Sequence, residues 1–530
     1  MSVGAAVESS QSLGHWYPGW HASQHPERAA VIDSGDGAIL TYAQLDRQSI
    51  QLSNLFRRLG LRPGDGVAML LENGPWFFIV AWAAQRSGLY YTPVSTHFTA
   101  DEVAYIVEDC GARVFVSSSE QSSVASKLVV DANLAHLDAW LGVGSPMPGF
   151  DGIENQMSSL PTSPLTAELE GSAMLYSSGT SGRPKGIRMP LQLDPIGTPS
   201  SVMKLGRSLY GFGEDTVYLS PAPLYHSAPL NFSMAVHRLG GTVVVMARFD
   251  PEEFLQSIDR YGVSHTQVVP TMFNRLLSLS DEVRSAANLG TLRVAIHASA
   301  PCPVPVKDNM IEWWGPIIYE YYSGTEGVGF TAITSEEWLE HRGSVGRPLI
   351  GRVHILDDAG DELPGRQTGR VFFESKALFE YHNDPTKTAE AHSSQGWSTM
   401  GDVGFVDGDG YLYLTDRSTD MIISGGVNIY PREIENVLLE HPAVEDAAVV
   451  GIPDSDFGEQ VRAIVQLRTP EEAGEQLSSE LIAFCQNRLS KIKCPRSIEF
   501  RAELPRSGAG KLLKRELRAE YWQEHTTSIG

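Results

Sequence analysis

Residues 176–186 read Tyr-Ser-Ser-Gly-Thr-Ser-Gly-Arg-Pro-Lys-Gly, a segment dense in hydroxyl side chains and glycines. Glycine lets the backbone approach a ligand closely and turn its N–H groups toward an anion, while hydroxyl groups and Lys185 add donors and a positive charge. The apolar run 174–176 predicts a strand that leads into this loop, which is where nucleotide-binding loops begin. The segment therefore predicts a phosphate-binding loop, with a flexible surface loop as the alternative.

This loop differs from the common P-loop. That pattern requires a lysine that directly follows glycine and directly precedes serine or threonine. Here Pro184 precedes Lys185 and Gly186 follows it. We therefore expect the phosphate to be bound by a loop of another kind.

The composition is that of a large globular protein. The 530 residues are 42% hydrophobic and 20% charged, which is enough for at least two domains with cores of their own. The net charge of -23 argues against nucleic acid or an anionic membrane surface as a partner. Residues 1–20 lack the features of a secretory signal, and the longest apolar run, 76–84, is too short to span a membrane. We expect a cytoplasmic protein.

The cysteines support the same compartment. Cys110, Cys302, Cys485 and Cys494 form no C-x-x-C pair, which predicts free and mostly buried thiols in a reducing environment.

One segment departs from the acidic average. Residues 486–518 carry ten Lys or Arg residues against three Glu. We expect this segment to be either a solvated helix face or a docking surface for a polyanionic ligand.

Strand-like and helix-like segments alternate through most of the first four hundred residues. Strands are predicted over 66–71, 112–116 and 241–246, and a helix over 76–87. A second helix is predicted from Asp250, because an N-cap aspartate, a proline at the first helical position and acids in the first turn follow one another. This alternation predicts an α/β fold in which helices cover parallel sheets.

The sharpest boundary lies near residues 416–420. Before it, residues 404–414 are predicted to form a hairpin through Asp407-Gly408-Asp409-Gly410. After it, Pro431 is predicted to open a helix, and further elements are predicted over 447–452, 461–467, 481–489 and 497–500. These elements predict a compact α+β unit of about a hundred residues.

A second candidate site lies in residues 319–327, which read Tyr-Glu-Tyr-Tyr-Ser-Gly-Thr-Glu-Gly. Adjacent tyrosines are often core residues. Here they run into a polar, turn-prone segment, where an aromatic face can stack on a purine. Glu326 supplies a carboxylate of the kind that Mg²⁺ takes beside substrate phosphates.

Three further segments complete the set. Asp402 lies among glycines in 396–404, where it either caps the loop or accepts hydrogen bonds from a ribose diol. Residues 416–431 form the next segment, and Lys511 lies in the last one, 504–512. Residues 508–511 are not a Walker fragment, because Leu512 replaces the hydroxyl residue. A lysine on a glycine-rich loop is better suited to move onto a developing negative charge.

In this order, the five segments resemble the motifs of the acyl-adenylate-forming superfamily, which includes acyl- and aryl-CoA synthetases, firefly-type luciferases and nonribosomal-peptide adenylation domains. The resemblance covers residues 16–517. It implies a large N-terminal domain of two β-α subdomains plus a distorted β-barrel, over 1–416. It also implies a hinge over 417–420 and a small mobile α+β C-terminal domain over 421–530.

The resemblance also assigns roles in the nucleotide site. Lys511, Thr180 and Glu326 would be catalytic, with Glu326 as the Mg²⁺ ligand. Tyr321 and Tyr322 would flank the adenine, and Asp402 and Arg417 would bind the ribose. The implied ATP and AMP contacts are Ser177, Ser178, Gly179, Thr180, Ser181, Gly182, Lys185, Ser299, Ala300, Pro301, Tyr321, Tyr322, Ser323, Gly324, Thr325, Asp402 and Arg417. The family often has glycine where this chain has Ser299.

The resemblance implies that the acyl-adenylate then reacts with a thiol after the C-terminal domain rotates. Ser424, Gly425 and Gly426 would contact the pantetheine of coenzyme A, and the segment 486–518 would meet its phosphates. The hinge position is usually Asp or Lys in the family, but it is Thr419 here. We expect rotation to persist, because a hinge depends on backbone freedom rather than on one side chain.

The acyl pocket is matched by six positions. They are His226, Ser227, Thr271, His297, Ala298 and Gly324. His226 would be the aromatic gate, with an ordinary packed ring as the alternative. Amino-acid-activating relatives usually have Asp at position 227 and hydroxybenzoate-activating ones often have Asn, whereas this chain has Ser. The pocket therefore predicts a hydrophobic, uncharged acid: fatty, aromatic or bulky polycyclic.

Together these features predict an AMP-forming acyl-CoA synthetase that uses ATP, Mg²⁺ and coenzyme A and acts as a monomer or homodimer. One alternative is an acyl-AMP ligase that loads the phosphopantetheine of a carrier protein. A second is a catalytically silent binding module of the same fold, against which the intact motif residues argue. A luciferase-like oxygenase is a third.

Overall fold

The computed structural model describes residues 15–131, 134–177, 184–375, 379–417, 420–424, 427–454, 457–507 and 512–526. These residues divide into two compact units. The first contains the described parts of Met1–Ser177, Gly186–Gln267 and Ala287–Arg293. The second contains those of Ser178–Lys185, Val268–Ala286 and Val294–Gly530.

The elements up to residue 268 belong almost entirely to the first unit. Its strands are β1 Ala29–Asp33, β2 Ile39–Thr41, β3 Gly66–Leu70, β4 Tyr90–Pro93, β5 Ala112–Ser118, β6 Ala139–Val143, β7 Asp151–Gly152, β8 Ser172–Ala173, β9 Leu175–Ser177, β10 Lys185–Arg188, β11 Val217–Ser220, β12 Thr242–Val245 and β13 His265–Val268. Its helices are α1 Pro18–Gln24, α2 Tyr42–Arg58, α3 Pro75–Arg86, α4 Ala100–Asp109, α5 Ser122–Leu128, α6 Ile153–Ser158, α7 Ser201–Leu209, α8 Ser227–Arg238 and α9 Pro251–Tyr261.

Two largely parallel sheets organise the first unit. One has the strand order β7-β6-β5-β3-β4-β8, and every pair in it is parallel. In the other, β13, β11, β12 and β1 are parallel, and β2 joins β1 antiparallel at the edge. The strand β3 is buried at every position, as expected when helices cover both faces of a parallel sheet. The predicted α/β class is therefore confirmed.

Local sequence signals located these elements well. The predicted strands over 66–71, 112–116 and 241–246 correspond to β3, β5 and β12, and the predicted helix over 76–87 to α3. Helix α9 begins as expected, because the Asp250 carboxylate accepts the backbone N–H groups of Glu252 and Glu253. The apolar run 76–84 lies in α3, where residues 77–86 are all buried.

The elements from residue 270 onward belong to the second unit. Its strands are β14 Val294–His297, β15 Ile318–Tyr322, β16 Phe330–Ile333, β17 Arg347–Ile350, β18 Arg352–Leu356, β19 Gly369–Glu374, β20 Glu380–Tyr381, β21 Asp402–Val406, β22 Leu412–Arg417, β23 Ile422–Ser424, β24 Val427–Ile429, β25 Val444–Asp454, β26 Gly458–Leu467 and β27 Ser497–Phe500. Its helices are α10 Pro270–Leu277, α11 Asp281–Ala286, α12 Val304–Trp314, α13 Ser335–Glu340, α14 Pro385–Glu390, α15 Pro431–Leu439, α16 Glu475–Gln486 and α17 Lys514–Thr526.

The second unit has mixed sheets. Strands β14 and β15 are parallel, and β16 and β17 continue antiparallel. Strands β18, β19, β21 and β22 form an antiparallel sheet where the resemblance implied a distorted barrel. The sheet β24-β23-β26-β25, with β27 parallel to β26, packs with α15 and α16 around its own core.

The predicted hairpin through Asp407–Gly410 is present as β21 and β22, and α15 begins at Pro431 as predicted. The helix predicted over 481–489 begins earlier, at Glu475, and ends at Gln486. The predicted domain limits at 416 and 420 remain predictions, with β22 ending at Arg417 and β23 beginning at Ile422.

The predicted free thiols are confirmed, because all four cysteines are free and buried. Among the described residues, no helix combines the length and the apolar character that crossing a membrane requires.

Candidate active site

Several predicted site residues lie outside the described residues. They are Ser178, Gly179, Thr180, Ser181 and Gly182 of the phosphate loop, Thr419 of the hinge, Gly425 and Gly426 of the pantetheine segment, and Lys511. Strand β9 ends at Ser177 and β10 begins at Lys185, so two strands flank the loop. The predicted strand before the loop is confirmed.

The predicted nucleoside contacts converge in the second unit. The Tyr322 hydroxyl, at the end of β15, donates a hydrogen bond to Oδ2 of Asp402 over 2.6 Å. Asp402 is buried at the start of β21, and Arg417 is its direct partner on β22. A tyrosine predicted at the adenine and two residues predicted at the ribose therefore lie together, although up to 95 positions separate them in the chain.

The two tyrosines predicted to flank the adenine, Tyr321 and Tyr322, make different contacts. Successive side chains of a strand point to opposite faces. The Tyr321 ring stacks on the Phe330 ring, with centroids 5.0 Å apart and planes 10° from parallel. Burial raises the pKa of the Tyr321 hydroxyl, so it stays protonated. Tyr322 is thus the one whose polar end reaches the predicted ribose site.

The turn that follows β15 carries Glu326. It is held by two hydrogen bonds, from the Ser323 hydroxyl to the Gly329 carbonyl over 2.7 Å and from the Gly327 N–H to the Gly324 carbonyl over 3.1 Å. Thr325 lies in the same turn. Gly327 has a φ of +65°, a conformation that glycine adopts without steric cost.

The Glu326 carboxylate has one engaged oxygen. Its Oε1 accepts a hydrogen bond from the Tyr381 hydroxyl over 2.8 Å. Its Oε2 lies against Gly324, where a Cβ atom would come within 2.5 Å of it. A glycine at 324 therefore leaves room for this oxygen. A half-buried carboxylate with one oxygen not used by Tyr381 fits Mg²⁺, which takes few protein oxygens and keeps its waters.

Lys185 contacts the ring of the same tyrosine. Its ammonium lies 5.6 Å from the centre of the Tyr381 ring and 3.9 Å from Oδ2 of Asp384. Desolvation lowers the pKa of Lys185, with the nearby Lys387 charge as a second cause. Lys185 therefore has a weak ion pair and an aromatic contact.

Sequence reasoning missed Tyr381. The residue ends the short strand β20, and a helix capped by Asp384 and opened by Pro385 follows it. An aromatic residue three positions before the N-cap of such a helix was a usable local signal. Its partner Glu326, however, is 55 positions away, which no local pattern specifies.

The predicted adenine-side loop has an unusual backbone. Ser299 has a φ of +73°, in the left-handed region that disfavours residues with a Cβ atom. Its side chain is exposed, Ala300 is partly buried and Pro301 is exposed. The family's preference for glycine at this position thus has a physical reason in this chain.

Two predicted pocket residues lie in the first unit. His226 is the N-cap residue of α8, and Ser227 is the first residue of that helix. The Ser227 hydroxyl accepts a hydrogen bond from the Asn231 amide over 3.1 Å. Burial, and then the charge of His97, lower the pKa of His226 to about 4, so its ring is neutral at pH 7.

The other predicted pocket residues lie in the second unit. Thr271 lies in the first turn of α10, and His297 ends β14 with Ala298 after it. His297 is fully buried, and its Nε2 lies 3.4 Å from Oε2 of Glu320. The same oxygen accepts from the ammonium of the buried Lys307 over 2.6 Å. A neutral imidazole and a buried ion pair therefore lie next to each other at His297, and its place in the acyl pocket stays a prediction.

Ser424 ends β23 and is 2% exposed, and it pairs with Val427 and Gly458 across the sheet. Nearby, Asp416 of β22 accepts the backbone N–H of Arg432 over 2.9 Å. The Lys514 ammonium lies 2.8 Å from Glu435 and 4.0 Å from Asp416. The start of α17, just after Lys511, is thereby fixed to acids on both sides of residues 417–420.

The basic segment 486–518 is largely neutralised. Of the nine Lys and Arg residues of this segment that the structure describes, seven form ion pairs with acids. These pairs are Arg488–Glu440, Lys493–Glu433, Arg496–Asp454, Arg501–Glu520, Arg506–Asp446, Lys514–Glu435 and Arg518–Glu459. The acids of these pairs all lie outside residues 486–518, and the docking of a polyanionic ligand on this segment stays a prediction.

Comparison with known proteins agrees with this geometry. The family model described as AMP-binding enzyme matches residues 19–381, and the model for the AMP-binding enzyme C-terminal domain matches residues 433–511. The chain belongs to the AMP-binding enzyme family of adenylate-forming ligases, as the sequence motifs predicted.

Its relatives use different acyl acceptors. The chain is 32% identical to a feruloyl-CoA synthase of Amycolatopsis sp over 97% of this chain and 99% of the relative. It is 30% identical to the fatty acid–[acyl-carrier-protein] ligase ScoC of Streptomyces coeruleorubidus, over 96% of each. Among solved structures it resembles the amide bond synthetase McbA of Marinactinospora thermotolerans, with a TM-score of 0.80 and 28% identity over 95% of this chain and 99% of that one.

Proposed function

We propose that this protein is an ATP-dependent acyl-CoA synthetase. It converts a carboxylic acid and ATP to an acyl-adenylate and pyrophosphate, and then transfers the acyl group to the thiol of coenzyme A. The observation that carries the proposal is the hydrogen bond between Tyr322 and Asp402, with Arg417 paired to Asp402 on the next strand, which supports a nucleoside site at these residues.

In the first step the substrate carboxylate attacks the α-phosphorus of ATP. The bond from that phosphorus to the bridging oxygen breaks, and pyrophosphate leaves with the electron pair. No general base is needed, because a carboxylic acid is already ionised at pH 7. Two anions approach each other, so positive groups have to stand where negative charge accumulates.

Residues of this chain supply that stabilisation. The ammonium of Lys511 would contact the reacting phosphate, and Thr180 with the neighbouring backbone N–H groups would donate hydrogen bonds. Removing one preorganised donor of this type typically costs about 10²–10³ in rate. Glu326 would hold Mg²⁺, which, when bound, supplies further compensation of phosphate charge.

In the second step the coenzyme A thiol, as thiolate, attacks the acyl carbon and AMP leaves. The C-terminal domain would rotate at Thr419, so that Lys511 withdraws and residues 424–426 approach the adenylate. Residues 425 and 426 are both glycine, which would permit a pantetheine arm to pass close to the backbone.

The acid is proposed to be uncharged and hydrophobic: aromatic, fatty or polycyclic. Ser227 provides no carboxylate for a substrate ammonium group. The relatives named for feruloyl and fatty-acyl substrates support the first two classes. The neutral imidazoles of His226 and His297 are compatible with an uncharged substrate. We further propose that the protein acts in the cytoplasm as a monomer or homodimer.

A carrier protein is the second candidate acceptor, because one relative is a fatty acid–[acyl-carrier-protein] ligase. The two candidates share every step up to the adenylate. They differ only in what delivers the thiol.

The decisive experiment measures pyrophosphate release with a panel of aromatic, fatty and polycyclic acids. Each acid is tested alone, with coenzyme A and with a phosphopantetheinylated carrier protein, and the product is identified by mass spectrometry. We expect release with one acid class and a CoA thioester as product. Adenylate without a CoA thioester, but with a loaded carrier protein, would support the second candidate. The absence of acid-dependent release across the panel would contradict the proposal.

A further inference from the structure

Tyr381 contacts two predicted functional groups at once. Its hydroxyl donates to Oε1 of Glu326 over 2.8 Å, and its ring lies 5.6 Å from the Lys185 ammonium. Glu326 follows β15 and Lys185 follows the phosphate loop, so two distant parts of the chain meet at one side chain. The hydroxyl of Tyr381 therefore acts as a hydrogen-bond donor to a carboxylate, and its ring acts as an aromatic contact for a cation.

The hydroxyl contact fixes the Glu326 carboxylate. A free carboxylate on this turn would rotate about its terminal torsion, which has a broad energy minimum. A phenol bound to Oε1 restricts that rotation. It also leaves Oε2, which lies in the space kept open by Gly324, as the oxygen that Tyr381 does not engage.

The ring contact acts on Lys185. A cation over an aromatic face is attracted by the ring quadrupole, and the attraction increases when water is excluded. The only ion pair of Lys185 among the described residues is the 3.9 Å contact with Asp384, at the limit of such an interaction. The Tyr381 ring is thus a weak partner that fixes the position of the lysine without neutralising its charge.

We propose that Tyr381 is a positioning residue that orients Glu326 toward a divalent cation and Lys185 toward the nucleotide phosphates. This inference rests on the proposed function. It predicts that the hydroxyl controls the affinity for the metal and that the ring controls the affinity for the phosphates. If Tyr381 had a purely structural role, removing its hydroxyl and removing its ring would not affect these two affinities separately.

The test separates the two contacts by substitution. Tyr381→Phe keeps the ring and loses the hydroxyl, whereas Tyr381→Leu loses both. The metal is followed as Mn²⁺ by electron paramagnetic resonance in the complex with ATP and without an acid substrate, and ATP affinity is followed by calorimetry. We expect Tyr381→Phe to weaken Mn²⁺ binding by about 10-fold, the low end for residues that orient a metal ligand. Tyr381→Leu should in addition weaken ATP binding in the absence of metal.

A matched control exists in the same unit. The Tyr413 hydroxyl also interacts with a carboxylate, that of Asp407, at the far end of the hairpin from Asp402. Tyr413→Phe removes the same chemical group and should leave the Mn²⁺ affinity unchanged. A double variant, Tyr381→Phe with Glu326→Gln, tests whether the hydroxyl acts through Glu326. Once the carboxylate is gone, loss of the hydroxyl should have no further effect on metal affinity.

The outcomes separate the two proposals. Unchanged Mn²⁺ affinity in Tyr381→Phe, with a wild-type protein that binds ATP and releases pyrophosphate, would overturn the inference alone. A wild-type protein that does not bind ATP would overturn the proposed function. Equal losses in Tyr381→Phe and Tyr413→Phe would also overturn the inference, because they would indicate a general effect of removing a tyrosine hydroxyl.

Discussion

Asp402 and Arg417 are directly opposite each other on the antiparallel strands β21 and β22. Directly paired positions on antiparallel strands are close neighbours, so residues 402 and 417 occupy the same point of the hairpin. The Tyr322 hydroxyl, at the end of strand β15 of another sheet, donates a hydrogen bond to the Asp402 carboxylate. A hairpin thus holds both residues that are predicted to contact the ribose.

Asp402→Asn should weaken nucleotide binding with little loss of stability. The amide oxygen can still accept from Tyr322, but hydrogen bonds to an ionised acceptor contribute about 1.5–3 kcal/mol and neutral ones less. We expect the KM for ATP to rise about 10-fold or more, while the KM for the acid stays the same. Asp407→Asn is the matched control, because Asp407 accepts backbone N–H groups at the other end of the hairpin. An equal rise in both variants would contradict the ribose assignment.

Gly324→Ala should reduce activity more than stability. The added Cβ would approach Oε2 of Glu326 and the sulfur of Met400, both of which end flexible side chains that can move aside. The fold can therefore adapt, but the Glu326 carboxylate loses its position. We expect pyrophosphate release to fall about 100-fold, as for the loss of one positioned group, with only a small change in the thermal midpoint.

Gly327→Ala, in the same turn, should instead reduce stability more than activity. Nothing lies within 4 Å of a Cβ atom there, but the φ of +65° strains any residue other than glycine. We expect a stability loss of about 1 kcal/mol and a smaller effect on activity. If both alanine variants lost activity and stability in the same ratio, the steric account of Gly324 would be wrong.

Ser299→Gly should stabilise the protein. A residue with a Cβ atom costs about 1–2 kcal/mol in the left-handed region, and part of this is offset by the greater entropy of glycine in the unfolded chain. We expect a net gain of about 0.5–1 kcal/mol in the free energy of unfolding, measured by urea denaturation. Ser299→Ala is the control, because it removes the hydroxyl but keeps the Cβ atom. A gain from the alanine variant would show that the hydroxyl, and not the backbone, was unfavourable.

Local chemistry made part of this structure predictable. Asp250 followed by Pro251, and the Asp-Gly-Asp-Gly turn at 407–410, fixed element boundaries because they act on neighbouring residues. Contacts between distant segments were not predictable in the same way. The partner of Glu326 is 55 positions away, and Arg506 finds its acid 60 positions earlier. The ion pairs of the segment 486–518 were likewise not predictable, since the net charge of a sequence window does not include the acids that folding brings from elsewhere.

The first unit should become less stable between pH 6.5 and pH 4. Burial lowers the pKa of His226, His237 and His265 to about 4 each. An unfolded chain takes up these protons near pH 6.5, whereas the folded chain takes them up only near pH 4. Below pH 6.5 the unfolded state thus binds more protons, and stability falls as pH falls, by up to about 2 kcal/mol per histidine at pH 5.

The measurement compares the free energy of urea unfolding at pH 7 and pH 5 in the wild type and in His265→Gln. Carboxylates titrate equally in both proteins, so their contribution cancels in the comparison. We expect the variant to lose less stability than the wild type between the two pH values. His25→Gln is the control for the replacement of a histidine by glutamine, because half of the His25 side chain is exposed. If His265→Gln kept the full wild-type loss, His265 would already be protonated in the folded state or would not differ between the two states.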